Sequence, residues 1–380
     1  MLVGAMALTL VVGACGGPTR RARSTTTTSG VSTSTSAAVA AGDFSWTIHQ
    51  SPGLGGAFAG ELSCPSVDFC AGVATISGSY PDAAELGLAV FNGGSWSTPT
   101  IETAFSHSDE TVSCSAPTFC VAVSSNGLYV TWNGTLWSTA AALPLGKTDG
   151  PSAISCTSPT FCMVVNGELS GATGLGQTQT ATWNGSRWTA AGSFSNLDVP
   201  TVSCVSQDFC MGAGEATTSS SGTLSTNDIG MTWNGMSWAS PMRIGVNSVD
   251  LGATAHISCS TPDFCMATGG FHATGDVYTI WNGTSWTSET MDTATGHASA
   301  PTGFETVSCP SATLCVAVDG GSGTNGQPST FEGPTVNVWN AGVWSGTHQA
   351  GPANALADIS CPSVRYCVIL GSGSYLVGAV

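Results

Sequence analysis

Short apolar runs alternate with polar turns along most of the chain, and one stretch shows the pattern most clearly. Residues 112–114 form a first β-type run, residues 119–123 a second and residues 128–132 a third. Asn133-Gly134 follows, a pair that favours a tight hairpin because both residues tolerate a positive φ. Trp137 then opens a fourth run. The pattern predicts a four-stranded antiparallel meander.

The same pattern recurs along the chain with fixed spacing. Cysteines come in pairs six positions apart: Cys64 with Cys70, Cys114 with Cys120, Cys156 with Cys162, Cys204 with Cys210, Cys259 with Cys265, Cys309 with Cys315, and Cys361 with Cys367. Aromatic residues five positions apart bracket a turn that is usually Asn-Gly: Phe91 with Trp96, Trp132 with Trp137, Trp183 with Trp188, Trp233 with Trp238, Trp281 with Trp286, and Trp339 with Trp344. The cysteine pairs begin 42 to 55 residues apart, a period typical of propeller blades made of four short strands.

The two ends of the chain predict how the ring closes. After Cys367 only part of a blade remains, whereas residues 44–48 resemble an isolated fourth strand with Trp46 in the position of the trailing tryptophan. We therefore expect the N-terminal strand to complete the last blade and to leave no open sheet at the ends. The predicted fold class is all-β, a seven-bladed propeller of four-stranded antiparallel blades over residues 43–380.

The first residues predict export. Residues 6–12 are apolar, and Val12-Gly13-Ala14-Cys15 resembles a bacterial lipobox, so residues 1–15 are interpreted as a lipoprotein signal peptide with Cys15 as the lipidated residue. An ordinary cleaved signal peptide or short anchor with an incidental cysteine is the alternative. Residues 16–42 are rich in Ser and Thr and predict a flexible tether. The expected location is outside the cytoplasm, lipid-anchored to the outer face of a bacterial membrane.

Export also decides how the cysteines are interpreted. Fourteen paired cysteines on an exported chain indicate disulfides, one within each pair and one per blade. Zinc binding is the weaker alternative, since the spacing is not that of a zinc site and no histidine recurs at a matching offset. The trailing tryptophans are expected to pack between blades.

The chain carries 23 acidic and 7 basic residues, a formal net charge of -16 that excludes nucleic acid as a partner. Most acidic residues fall in segments of variable length, which the topology places together on one face, opposite the cysteine and Asn-Gly turns. Binding residues usually lie on such loops. Solvation of the loops is the simpler explanation of the charge. No cofactor is expected, although the loops around His272 and Asp276, and around Asp319 and Asn325, are loosely calcium-like.

Five titratable residues lie just before or at the start of the predicted inner strands and point towards the central funnel: Glu61, Glu110, His256, Glu305 and Asp358. They are the candidate binding residues of the variable-loop face. Two carboxylates facing each other across a channel would also suit acid/base cleavage of a glycosidic bond. The alternative is that these side chains hydrogen-bond the ends of the inner strands. We find no catalytic sequence motif and predict no catalytic residue.

The Gly-x-x-Trp piece before the fourth strand, as in residues 134–137, resembles the Asp-box propellers, which include sialidases and photosystem assembly-factor-like proteins. The Ser and Asp of the box are absent here, and Trp132 or its equivalents occupy the Asp position. The resemblance implies a propeller fold. A sialidase activity would need an arginine triad, but after the tether only three arginines remain, and two of them are predicted to face away from the funnel: Arg187, Arg243 and Arg365.

These features favour a non-enzymatic binding or scaffolding module on the cell surface. The expected ligand is a glycan, a cell-wall fragment or a protein, held on the variable-loop face, and the membrane is reached through the lipid anchor. We expect a monomer. Two alternatives stay open: a structural envelope protein, and a polysaccharide hydrolase or lyase that uses the funnel carboxylates.

Overall fold

The computed structural model describes residues 44–50, 60–79, 82–105, 110–145, 152–169, 175–220, 223–244, 256–269, 277–290, 306–319, 335–349, 356–371 and 374–380. These residues form 28 strands in seven four-stranded antiparallel sheets. In this part of the chain, no helix has the length and apolar character that a membrane span requires.

The strands follow the predicted blade order, with β1 (Ser45–Gln50) preceding the first complete blade. Blade 1 contains β2 (Glu61–Ser66), β3 (Phe69–Ser79), β4 (Asp82–Phe91) and β5 (Thr100–Ile101). Blade 2 contains β6 (Thr111–Ala116), β7 (Phe119–Ser124), β8 (Leu128–Trp132) and β9 (Ala141–Ala142). Blade 3 contains β10 (Ala153–Ser158), β11 (Phe161–Leu169), β12 (Gly176–Trp183) and β13 (Trp188–Ser195).

Blade 4 contains β14 (Leu197–Ser206), β15 (Phe209–Ser220), β16 (Thr223–Trp233) and β17 (Met242–Arg243). Blade 5 contains β18 (His256–Thr261), β19 (Phe264–Gly269), β20 (Val277–Trp281) and β21 (Trp286–Thr290). Blade 6 contains β22 (Thr306–Ser311), β23 (Leu314–Asp319), β24 (Thr335–Asn340) and β25 (Val343–Gln349). Blade 7 contains β26 (Leu356–Ser363), β27 (Tyr366–Gly371), β28 (Ser374–Ala379) and, as its fourth strand, β1.

The predicted closure of the ring is confirmed. β1 pairs antiparallel with β28, with Ser45 opposite Ala379 and Gln50 opposite Ser374. Trp46 packs against a core cluster that contains Val316 of blade 6. The first described strand therefore completes the last blade and also helps to bury the junction between blades 6 and 7.

The fourth strand is shorter than predicted in three blades. Trp96, Trp137 and Trp238 meet the preceding aromatic residue only in an isolated bridge, and the strand that follows has two residues. In blades 1 and 4 a proline, Pro99 or Pro241, directly precedes that short strand. Proline has no N–H to donate to the sheet, which limits pairing at the outer edge.

The predicted disulfides are confirmed, one in the first hairpin of each blade, with Cα–Cα distances of 3.9 to 4.0 Å. They join Cys64 to Cys70, Cys114 to Cys120, Cys156 to Cys162, Cys204 to Cys210, Cys259 to Cys265, Cys309 to Cys315, and Cys361 to Cys367. The second cysteine of every pair is fully buried: Cys70, Cys120, Cys162, Cys210, Cys265, Cys315 and Cys367. The alternative of a zinc site is therefore wrong for these cysteines, because all fourteen sulfur atoms are used in disulfide bonds.

The two fixed-length turns of a blade lie together on one face, as predicted. The first tryptophan of the Asn-Gly hairpin donates its Nε1–H to a carbonyl of the cysteine turn in four blades, at 3.0 to 3.1 Å: Trp132 to Pro117, Trp183 to Pro159, Trp233 to Gln207 and Trp281 to Pro262. The hydrogen bond fixes the Asn-Gly turn against the disulfide-closed hairpin of the same blade.

The trailing tryptophans pack on the preceding blade, which confirms their predicted role. Trp96 of blade 1 shares a core cluster with Val368 and Leu370 of blade 7. Trp286 of blade 5 packs against a cluster containing Met211 of blade 4. The hydrophobic core thus consists of clusters between neighbouring blades, and the described residues enclose a cavity at the centre of the ring.

Candidate functional site at the centre of the ring

A cavity of about 650 Å³ lies where the inner strands of all seven blades meet. Its wall repeats by position within the Val-Ser-Cys run. The residue two before the first cysteine is apolar in every blade and lines the cavity: Leu62, Val112, Ile154, Val202, Ile257, Val307 and Ile359. The residue three before the cysteine varies and supplies most of the titratable groups. The chemistry of the cavity is therefore set largely by one variable position on an otherwise constant wall.

A closed ring of hydrogen bonds connects the inner strands. In each blade the N–H of the first cysteine donates to the hydroxyl of the serine that precedes the first cysteine of the previous blade, at 2.9 to 3.0 Å. The donors and their acceptors are Cys64 to Ser360, Cys114 to Ser63, Cys156 to Ser113, Cys204 to Ser155, Cys259 to Ser203, Cys309 to Ser258, and Cys361 to Ser308. The bond between blades 7 and 1 has the same form as the other six.

Sequence reasoning missed this ring. An inner strand has one edge without a neighbouring strand, so its N–H groups need other acceptors. The serine hydroxyl of the adjacent blade is that acceptor. The available signal was the serine before the first cysteine in all seven repeats.

Asp358 lies at the junction where the ring closes and connects three blades. Its carboxylate accepts the N–H of Leu62 at 2.7 Å, the N–H of its neighbour Ile359 at 2.7 Å and the hydroxyl of Thr306 at 2.9 Å. For Asp358 the alternative that the side chain hydrogen-bonds the end of an inner strand is therefore correct, because the carboxylate accepts an inner-strand N–H of blade 1.

Burial nevertheless raises the pKa of Asp358 to about 6, although the bonds from Leu62, Thr306 and Ile359 act to lower it. A carboxyl group whose pKa is raised on folding stabilises the fold in its protonated form. Its contribution is therefore lost as the pH rises from about 4 through about 6.

His256 begins the inner strand of blade 5 and lines the same cavity. Burial lowers its pKa to about 4, so the imidazole is neutral at pH 7. A neutral imidazole does not balance the negative charge of nearby carboxylates. His256 thus contributes a hydrogen-bonding group to the wall and no positive charge.

The structure brings four of the five predicted residues together. Glu61 and Glu110 line the cavity with His256 and Asp358, whereas Glu305 lies outside the described residues. Cys15 and most of the calcium-like loop residues lie outside them as well. In the described part of the chain, no group of three His, Cys, Asp or Glu side chains is arranged to hold a metal ion.

Among the described residues, none that lines the cavity is an arginine or a lysine. Arg187 lies in an Asn-Gly hairpin, Arg365 lies in a cysteine turn, and Arg243 is on the outermost strand of blade 4. The three arginines therefore sit in three different places, and the triad that would grip a carboxylate in a sialidase does not form.

Three acidic residues assigned to solvated loops are instead buried within blade 4. Asp198 faces Glu215 across β14 and β15, and Glu215 faces Asp228 across β15 and β16. All three are less than a tenth exposed. The expectation of loop solvation is wrong for them because β15 and β16 continue well beyond the predicted strand ends.

No protein-family model and no curated protein matches the sequence. Similar solved structures include YCF48 bound to D1 peptide, at 15% identity and a TM-score of 0.58, covering 90% of this chain and 98% of that one. YCF48 from Cyanidioschyzon merolae is similar at 14% identity and a TM-score of 0.56, covering 87% and 98%. The WD40 propeller domain of Doa1 is similar at 12% identity and a TM-score of 0.52, covering 88% and 97%. These likenesses support the β-propeller fold and leave function to be argued from the site.

Proposed function

We propose that this chain is an extracytoplasmic, lipid-anchored binding module that takes a protein ligand at the central cavity and on the loops around its mouth. Three features support the proposal: the predicted export and lipidation signals of the sequence, the rigid ring, and the polar cavity. The ligand chemistry follows from the charges in the wall.

The observation that carries the proposal is the composition of the cavity wall. Glu61, Glu110 and Asp358 line it, His256 is neutral at pH 7, and no described lysine or arginine lies among the lining residues. Negative potential in a concave site with low-dielectric walls attracts cations and accelerates their association. The preferred ligand is therefore a basic segment of a protein, with a lysine or arginine side chain entering the cavity.

The rigidity of the ring supports the same function. Binding loses less conformational entropy when the receptor is already ordered. Each blade has a disulfide-closed hairpin and a hydrogen bond to its neighbour, so the cavity wall is ordered before a ligand arrives. One similar structure, YCF48, was solved with a D1 peptide bound. That structure is an example of a peptide bound to a propeller, and its likeness to this chain is one of fold.

The test is peptide binding to the full chain with its disulfides intact. Extended peptides rich in lysine or arginine are compared with peptides in which glutamate or glutamine replaces the basic residues. We expect the basic peptides to bind and the affinity to fall with added salt. Glu61→Gln and Glu110→Gln should each weaken binding several-fold, whereas Glu102→Gln, on a half-buried residue outside the cavity, should not. Equal binding of the acidic peptides would refute the charge argument, and binding of a neutral glycan alone would replace the protein ligand with a carbohydrate.

The anchor has an independent test. Cys15→Ala should move the chain from the membrane fraction to the soluble extracytoplasmic fraction and abolish labelling by a fatty-acid analogue. Continued membrane association without a lipid label would contradict lipidation, but it would not contradict the proposal that the cavity binds a peptide.

A further inference from the structure

Five blades carry the same exposed hairpin, in which an Asn-Gly pair follows the first aromatic residue: Asn92, Asn133, Asn184, Asn234 and Asn282. Asn-Gly is the dipeptide most prone to deamidation, because glycine leaves the backbone nitrogen open to attack the asparagine side chain. The repeats allow the five copies to be compared in one molecule. Their side-chain contacts differ.

Four of the five asparagines are clamped by their own turn. Asn133 Oδ1 accepts the N–H of Thr135 at 3.0 Å, the N–H of Leu136 at 2.9 Å and the hydroxyl of Thr135 at 2.8 Å. Asn184 and Asn282 each accept the same three donors from their own turns. Asn234 accepts the two N–H groups only, because methionine replaces the Ser or Thr.

Asn92 lacks this clamp. Within the described residues its carboxamide makes no hydrogen bond, and its N–H meets Ser95 O at 3.4 Å, against 3.1 to 3.2 Å in the other four turns. Gly93 follows with a φ of 80°, and Gly94 stands where three of the other hairpins have Thr or Ser.

Two Asn-Gly pairs outside these hairpins are held differently. Asn126 donates its side-chain N–H to Ala104 O at 2.7 Å, and Asn166 is buried in β11. A hydrogen bond therefore restrains the carboxamide of Asn126, and burial shields that of Asn166. The carboxamide of Asn92 is exposed and has neither protection.

We infer that Asn92 is the site of spontaneous deamidation among the described Asn-Gly pairs, and that the side-chain clamp protects the equivalent hairpins. The nitrogen of Gly93 attacks Cγ of Asn92 and loses its proton, the carboxamide nitrogen leaves as ammonia, and a succinimide ring forms. Water then opens the ring at either carbonyl and gives aspartate or isoaspartate. A clamped carboxamide must first break two or three hydrogen bonds to reach this geometry, which slows the reaction on the order of tenfold or more.

The position of Asn92 gives the reaction a structural consequence. The hairpin joins Phe91 to Trp96, and Trp96 packs at the junction of blades 1 and 7 with a ring-centroid distance of 6.1 Å to Tyr375. Isoaspartate lengthens the main chain of this hairpin by one methylene. Ageing at Asn92 therefore loosens the tryptophan that covers the closing junction of the ring.

The test uses the full chain with intact disulfides, incubated at mildly alkaline pH and then digested with pepsin at acidic pH for peptide mapping by mass spectrometry. A matched pair of variants exchanges the hydroxyl donor of the clamp between blades and leaves the two N–H donors of blade 2 in place. Gly94→Thr adds the missing hydroxyl to blade 1, where a Cβ meets nothing within 4 Å. Thr135→Gly removes it from blade 2.

We expect Asn92 to deamidate on the order of tenfold faster than Asn133, with Gly94→Thr slowing the first and Thr135→Gly accelerating the second. In urea the two sites should react at similar rates, because the clamp exists only in the folded hairpin. Equal rates in the folded protein, or no response to Gly94→Thr, would overturn the inference. A rate difference that persists in urea would overturn it too, since it would come from sequence alone.

Discussion

The ring of serine hydroxyls leads to a sharp stability prediction at the junction between blades 7 and 1. Ser360→Ala removes the acceptor of the Cys64 N–H, a bond of 2.9 Å that closes the ring. Cys64 is 6% exposed, so water has little access to the released N–H. The perturbation removes one oxygen atom and leaves the packing of the inner strands otherwise unchanged.

The expected cost follows from that burial. A typical hydrogen bond contributes about 1 kcal/mol net, but a buried donor left without an acceptor costs about 1 to 3 kcal/mol. We therefore expect Ser360→Ala to lower the free energy of unfolding by about 1 to 3 kcal/mol. Ser308→Ala, which removes the equivalent acceptor of Cys361 at 3.0 Å, should cost the same.

The assay is equilibrium unfolding in guanidinium chloride with the disulfides oxidised, followed by tryptophan fluorescence. Ser138→Ala is the matched control, because Ser138 Oγ also accepts a backbone N–H, that of Thr131 at 3.0 Å, but in an exposed position where water can replace it. The control should change stability by less than about 0.5 kcal/mol. If Ser360→Ala costs no more than the control, the hydroxyl ring does not stabilise the inner strands.

Three further changes probe other parts of the fold. Trp183→Phe removes the Nε1–H bond to Pro159 O and part of a buried ring, and should cost about 1 to 3 kcal/mol in the same unfolding assay; no loss would show that neither the bond nor the ring stabilises the turn. Gly230→Ala places a Cβ 2.5 Å from Trp286 Nε1 and should cost about 1 to 3 kcal/mol, and neutrality would mean that the tryptophan moves aside freely. Burial lowers the pKa of His256 to about 4, so its contribution to stability is present above about pH 6.5 and up to about 3 kcal/mol is lost as the pH falls to about 4. His256→Gln should remove that loss, and parallel pH profiles for both proteins would contradict it.

The blade pattern could be predicted because local sequence determines it. Cysteine pairs six apart, Asn-Gly turns and a fixed period specify antiparallel hairpins wherever they occur. The closing strand could be placed by counting, since seven cysteine pairs need seven fourth strands. The length of the outer strands could not be predicted, because pairing at an edge depends on residues such as Pro99 and on contacts that lie outside the repeat.

The contacts of the cavity were predicted only in part. The placement of Glu61, His256 and Asp358 follows from the repeat, and all three line the cavity. The three hydrogen bonds of Asp358 depend on where blades 6 and 1 place Thr306 and Leu62, residues 52 and 296 positions away. Such contacts are a property of the closed ring, and one repeat taken alone does not contain them.

The tripeptide Leu62-Ser63-Cys64 of blade 1, with its equivalents in the other blades, explains why the loops around the cavity can vary. Neighbouring side chains of a strand alternate between its two sides. In blade 1, Leu62 and Cys64 share a cluster with Val368 and Leu370 of the preceding blade. Ser63, on the other side of the strand, accepts the N–H of Cys114 in the following blade.

Three consecutive residues therefore hold the strand to both neighbours and, through the disulfide of Cys64, to its own hairpin. Because the serine hydrogen bond and the disulfide recur in every blade while the loops differ in length and sequence, the wall of the cavity has the same geometry beside different loops. Loop substitutions should accordingly change ligand binding with little effect on unfolding, and substitutions in the tripeptide should do the reverse.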